Sequence, residues 1–209
     1  MKKIKWNSLF ITCLLCAAPI LFGISIYQQL PAKMAIHFQL NNLPDRYASK
    51  NFALFGLPLL MAALQAFCCI MCDIQAAAKG SNRKLELATK AIVPILSVIL
   101  YLITVFYAMG KQIDVRRIVM LLVGGIMITI GNYLPKGSVG SFPTRLNSSQ
   151  AKKINRFLGY GTVMLGMIFW ITILLPPIYS ALSLFLLIPY TLIDLIYTLH
   201  VQKQKESKQ

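Results

Sequence analysis

A chain of 209 residues that is 57% hydrophobic and only 13% charged falls far below the roughly 25% charge usual in soluble domains, which excludes a soluble globular protein and points to an integral membrane protein. Its net charge of +15 does not mark a DNA or RNA binder, because the bases lie in short segments between apolar runs, where they report membrane topology. Cys13, Cys16, Cys68, Cys69 and Cys72 all fall inside apolar runs, so no disulfide framework is implied.

The chain opens MKKIKW and then carries no charge until Lys33. A signal-peptide core is about 7 to 15 residues long, so this longer run reads as a first membrane span. Six runs approach the roughly 20 apolar residues needed to cross the hydrocarbon, at about 6–27, 52–74, 91–109, 118–134, 157–176 and 179–199. The predicted fold class is an all-α membrane protein with six transmembrane helices in one domain over 1–209 and a structured extracellular loop at 28–51. A cytoplasmic loop is expected at 135–156 and a flexible tail at 200–209. With both termini inside, 15 of the 21 basic residues (Lys2, Lys3, Lys5, Lys79, Arg83, Lys84, Lys90, Lys136, Arg145, Lys152, Lys153, Arg156, Lys203, Lys205, Lys208) face the cytoplasm. Six (Lys33, Arg46, Lys50, Lys111, Arg116, Arg117) face out, so the positive-inside rule chooses cytoplasmic N- and C-termini.

Residues 30–50, LPAKMAIHFQLNNLPDRYASK, stand apart as a long polar segment between two spans. Pro31 ends a helix, residues 35–38 are strand-like, Asn41 and Asn42 tolerate the positive φ of a tight turn, and Ser49 suits the cap of a helix starting near Asn51. A folded hairpin or lasso is expected. His37 and Asp45 have the chemistry for a general base or a metal ligand, yet two ligands do not make a metal site. The segment reads instead as a structural network or binding surface built on His37, Phe38, Asn42, Asp45, Arg46, Tyr47 and Lys50.

Farther along, Cys68, Cys69, Cys72 and Asp73 superficially suggest a thiolate site, but without a second CxxC pair the cysteines read as small apolar packing residues. Asp194 is a carboxylate inside an apolar run, costly without a partner or water, with Lys90, Tyr101, Asn132 and Tyr133 as candidate partners. Residues 136–150 form a Gly-, Ser- and Pro-rich connection, after which Asn147 or Ser148 could cap a basic, amphipathic helix start. Pro189 should kink the sixth span. Glycines 124, 125, 131, 159, 161 and 166 permit close helix approach. No catalytic constellation, metal set or cofactor motif emerges.

The segment at 30–50 resembles the LPxxIPxHFxxxGxPDxYxxK signature of the SdpI-like family of bacterial multi-pass membrane immunity proteins. GNYLPK at 131–136 resembles that family's GNYxPK segment, and NRFLG at 155–159 its return into the membrane. His37, Phe38, Pro44, Asp45, Tyr47 and Lys50 carry the first motif; Gly131, Asn132, Pro135, Lys136, Arg156 and Gly159 carry the second. Ala35 stands in place of a proline and Asn42 in place of a glycine, and the inner loop lacks the family's Trp-containing core. The resemblance implies protection against a secreted toxin or bacteriocin peptide bound at the outer face and, in one arrangement, capture of a cytoplasmic transcriptional repressor. The expected partners are therefore the lipid bilayer, a toxin peptide and a repressor. Asn132, Lys136, Arg156 and Asp194 are the inner-face and intramembrane polar candidates. Two rival readings are a small proton- or ion-coupled transporter or flippase using Asp194, and a membrane enzyme centred on His37 and Asp45.

Overall fold

A computed structural model describes residues 4–39, 41–79, 83–136 and 148–206. The expected contributions of Lys2, Lys3, Arg145 and Lys208, the Asn147 cap and most of the 136–150 connection lie outside the described residues. Among the described residues, six helical stretches are long and apolar enough to cross a membrane: Trp6–Ser25, Phe52–Ala77, Arg83–Ala108, Val115–Lys136, Ser149–Thr172 and Pro177–Val201. The chain is a multi-pass membrane protein whose helices contact lipid, and a small antiparallel pair of strands lies between its first two spans. Helices are the natural solution, because hydrocarbon offers backbone N–H and C=O groups no partner other than the chain itself.

One compact unit comprises Met1–Gln75 and Thr89–Ile118. Its first span is α1 (Trp6–Ala17) followed by α2 (Pro19–Ser25), with Pro19 at the first position of the second piece, where a missing N–H costs nothing. Strands β1 (Lys33–Phe38) and β2 (Pro44–Ser49) follow. A π-helical turn at Phe52–Gly56 leads into α3 (Leu57–Lys79), and α4 spans Arg83–Ala108. The Ser49 hydroxyl accepts the Phe52 N–H at 3.3 Å, capping this start. Leu30, Met34, Ala53, Leu54, Tyr101 and Val105 form the buried cluster beneath the strands.

Proline explains one internal tie. Pro94 sits within α4 and has no N–H for the carbonyl four residues back, that of Lys90. Gln65 of α3 supplies the missing donor, its Nε2 bonding to the Lys90 carbonyl at 2.9 Å. A second cross-tie runs from the Ser97 hydroxyl to the Cys16 carbonyl at 3.0 Å.

The other unit comprises Ala76–Ala88 and Val119–Gln209. It holds most of α5 (Val115–Tyr133), then α6 (Ser148–Thr172), α7 (Pro177–Phe185) and α8 (Leu187–Glu206). The sixth span breaks at Leu186, between α7 and α8, where Pro189 cannot donate to the carbonyl of Phe185. Past the expected end at 199, α8 continues to Glu206, because Gln, Lys and Glu are good helix formers that water can solvate.

Helices α5 and α6 meet backbone to backbone. A Cβ on Gly131 would lie 2.7 Å from the Gly159 carbonyl oxygen, and one on Gly159 would lie 2.7 Å from the Pro135 ring. Gly125 differs, with its nearest would-be neighbour at 3.8 Å. Gly131→Leu should therefore force the two helices apart at a cost of about 1–3 kcal/mol, whereas Gly125→Ala should leave stability unchanged. Reversible unfolding in mixed detergent and SDS micelles reads both changes.

Candidate functional site

The strands pair antiparallel, with Lys33 opposite Ser49, Met34 opposite Ala48, Ala35 opposite Tyr47, His37 opposite Arg46 and Phe38 opposite Pro44. Two irregularities interrupt the register. Ile36 has no opposite number on β2, and Asp45 none on β1. Such bulges re-aim side chains. Met34 and Ala35, adjacent in sequence, both face the core at 1% and 2% exposure, and the Asp45 carboxylate meets the His37 ring, Oδ1 to Nδ1, at 2.5 Å. The hydrogen bond from His37 holds the Asp45 carboxyl below its ordinary carboxylate value; desolvation opposes it, and the charges of His37 and Arg46 assist.

The tip turns through Asn42, whose φ of 62° is the left-handed conformation that asparagine tolerates and glycine prefers. Asn42 also works as a clamp. Its Nδ2 donates to Asp114 Oδ1 at 3.1 Å, and its Oδ1 accepts the Arg116 N–H at 3.1 Å. Asp114 in turn caps α5: its Oδ1 accepts the Arg117 N–H at 3.0 Å, and its Oδ2 pairs with Arg117 Nε at 2.9 Å. Burial works against ionising Asp114, but the Arg117 N–H, the Asn42 amide and the two guanidinium groups outweigh it and hold its carboxyl below the ordinary value. The hairpin tip is thus joined to the start of the fourth span.

The base is closed by Lys50. Its ammonium donates to the carbonyls of Tyr27 and Leu30, both at 3.1 Å, and lies 4.2 Å from the Tyr27 ring centroid. Both carbonyls lie at the turn that follows the first span, where the Tyr27 oxygen also accepts the Leu30 N–H at 3.4 Å, a place where lysine is favoured. The Tyr27 hydroxyl donates to Asn51 Oδ1 at 2.5 Å. At the tip end of the strands, the Phe38 ring stands edge-on to Tyr107 at 4.8 Å between centroids. Beneath the strands is a cavity of about 190 Å³ lined by Ile36, Phe38, Leu57, Met61, Tyr101 and Val115 among others.

The expected site residues therefore divide. His37 and Asp45 meet each other, whereas Lys50 binds the carbonyls at the base and belongs to a separate tie. Phe38 and Asn42 are engaged with neighbouring elements, while Arg46 and Tyr47 are exposed, Tyr47 to 56%. Of the second motif, Gly131, Pro135 and Gly159 come together. Lys136 Nζ donates to Asn132 Oδ1 at 3.1 Å, and Arg156 is exposed. Asp194 is buried on α8.

Sequence reasoning missed a second polar centre in the same unit. Asp73 of α3 and Lys90 of α4 form an ion pair at 2.6 Å with side chains only 3% and 2% exposed, and the Lys5 N–H donates to the other Asp73 oxygen at 3.0 Å. The signal was present: the two residues are nearly equidistant from the connection at 80–82, so antiparallel neighbours would bring them level. Lys90, one of the candidate partners for Asp194, is thus committed to Asp73.

Residues 14–62 match a family described as a domain of unknown function (DUF1648). The matched stretch covers most of the first span, the whole hairpin and the start of α3. No match was found among curated proteins or among solved structures.

Removing one partner of a buried ion pair leaves an uncompensated charge and typically costs about 3–5 kcal/mol. Asp73→Ala is accordingly expected to destabilise the protein by that amount. Adding Lys90→Met should restore most of the loss, as unfolding titrations of the single and double variants will show.

Proposed function

We propose that the chain is a membrane immunity or signal-receiving protein of the SdpI type, in which the hairpin binds a secreted toxin or bacteriocin peptide on the outer face of a bacterial cytoplasmic membrane. The observation that carries this reading is the division of labour within the hairpin. Lys50, Asn42, Phe38 and the His37–Asp45 pair fix its shape, while Arg46, Tyr47 and Leu43 remain exposed, Leu43 to 60%. A surface ordered in advance loses little entropy on binding, and exposed Tyr and Arg are the side chains that most often carry binding energy. The 15-to-6 distribution of bases supports the outward orientation. Capture of a cytoplasmic repressor is a further part of the same reading, supported only by the second motif at 131–136.

The test challenges sensitive bacteria with purified sporulation-delaying toxin peptide while they carry equal amounts of each variant. Tyr47→Ala and Arg46→Glu should abolish protection at normal abundance, because they alter the exposed face and leave the frame intact. His37→Gln should keep partial protection, since glutamine preserves a hydrogen bond to Asp45. Full protection by the Tyr47→Ala, Arg46→Glu double variant would overturn the reading, and a well-inserted His37→Gln protein without any protection would point to chemistry at the imidazole.

A further inference from the structure

A second site lies in the unit that holds α6 and α8, independent of the hairpin. Asp194 and Thr198 stand one turn apart on α8, on one helix face, and are 8% and 4% exposed. Both lie within the span Pro177–Val201. Among the described residues, neither Asp194 Oδ1 nor the Thr198 hydroxyl has a hydrogen-bond partner. A threonine in a helix ordinarily returns its hydroxyl to the carbonyl of the preceding turn, as Thr129, Thr104 and Thr162 do here. Thr198 does not, and its oxygen is left available.

Among the described residues, the group that bears on the Asp194 carboxylate is a hydroxyl and not a cation. Two bonds fix the α6–α8 register: the Tyr190 hydroxyl donates to the Leu158 carbonyl at 2.8 Å, and Gln150 Nε2 donates to the Val201 carbonyl at 2.8 Å. Between these ties, Asp194 is level with the turn of α6 that holds Asn155, which is 1% exposed. The Tyr190 hydroxyl, one turn earlier, also bears on the Asp194 carboxylate. Basic residues of this turn, Lys152, Lys153 and Arg156, are exposed.

We propose that Asp194 and Thr198 bind a monovalent alkali cation, Na⁺ or K⁺, between α6 and α8. Carboxylate and hydroxyl oxygens are hard donors that suit such ions better than soft or nitrogen-seeking metals. The charge count selects the valence: one carboxylate is neutralised by one monovalent ion, whereas a divalent ion would leave an uncompensated charge within the span. Neutralisation removes the high cost of an isolated carboxylate in a membrane helix.

The test uses the full-length protein in lipid nanodiscs, with NaCl or KCl replacing choline chloride at constant ionic strength and pH. The melting temperature should rise saturably with Na⁺ or K⁺ and not with choline, since an ion that binds only the folded state stabilises it. Asp194→Asn, which keeps shape and hydrogen bonding, should abolish the response. Thr198→Val should weaken the apparent affinity by about tenfold or more, the usual effect of losing one bond to a charged group, and Thr198→Ser should restore it. Equal melting in all three salts would mean a buried water only and would overturn the site. So would a response to pH without a response to alkali cations, which indicates a proton only, or an alkali response that survives Asp194→Asn or is unchanged in Thr198→Val.

Discussion

At the turn that follows the first span, the Lys50 ammonium seats itself on the carbonyls of Tyr27 and Leu30 while covering the Tyr27 ring. That contact joins residues on either side of the hairpin, so the segment between them is a closed loop with fixed ends. A short loop with fixed ends can be held in one shape by few further contacts. The His37–Asp45 pair and the Phe38–Tyr107 contact supply them along the strands, and Asn42 secures the tip to the cap of α5. The spacing of the 30–50 motif follows from this chemistry. Leu30 contributes the carbonyl that Lys50 binds, His37 and Asp45 face each other across a bulge, and position 42 needs a residue that accepts positive φ. Tyr47 is the motif residue this frame does not consume.

Much of the fold was legible. The six spans, the hairpin, the turn at Asn42 and the cap at Ser49 are local properties of the sequence, set by hydropathy, turn chemistry and capping. The break near Pro189 was legible for the same reason, since it depends on one missing N–H. Pairings between distant elements were not. Lys50 reads from sequence as part of one network with His37 and Asp45, yet it lies at the hairpin base on the carbonyls of Tyr27 and Leu30, while the irregular register near the tip brings Asp45 to His37. A shift of one residue in strand register reverses which way a side chain faces, and no periodicity announces a bulge. Asp114 carried a readable signal, an aspartate immediately before an apolar helical run, and its role is that of a cap.

The polar groups inside the spans fall into two kinds. Asp73 and Lys90 neutralise each other, and the Lys5 amide and Gln65 serve the remaining oxygen and the carbonyl that Pro94 leaves without a donor. Asp73 and Lys90, paired in this way, form a structural tie in a medium that penalises isolated charge. Asp194 is different: one of its oxygens and the neighbouring Thr198 hydroxyl have no partner among the described residues. A protein that satisfies one buried carboxylate so fully and leaves another open has placed its ligand chemistry at the open one.

The most direct test of a preformed hairpin is hydrogen–deuterium exchange of the protein in lipid nanodiscs with no peptide added. The backbone amides of Lys33–Phe38 and of residues 45–49 that pair across the strands should exchange much more slowly than the same sequence as a free peptide, and Lys50→Met should remove most of that protection. Exchange at the free-peptide rate in the unaltered protein would contradict a hairpin ordered before binding.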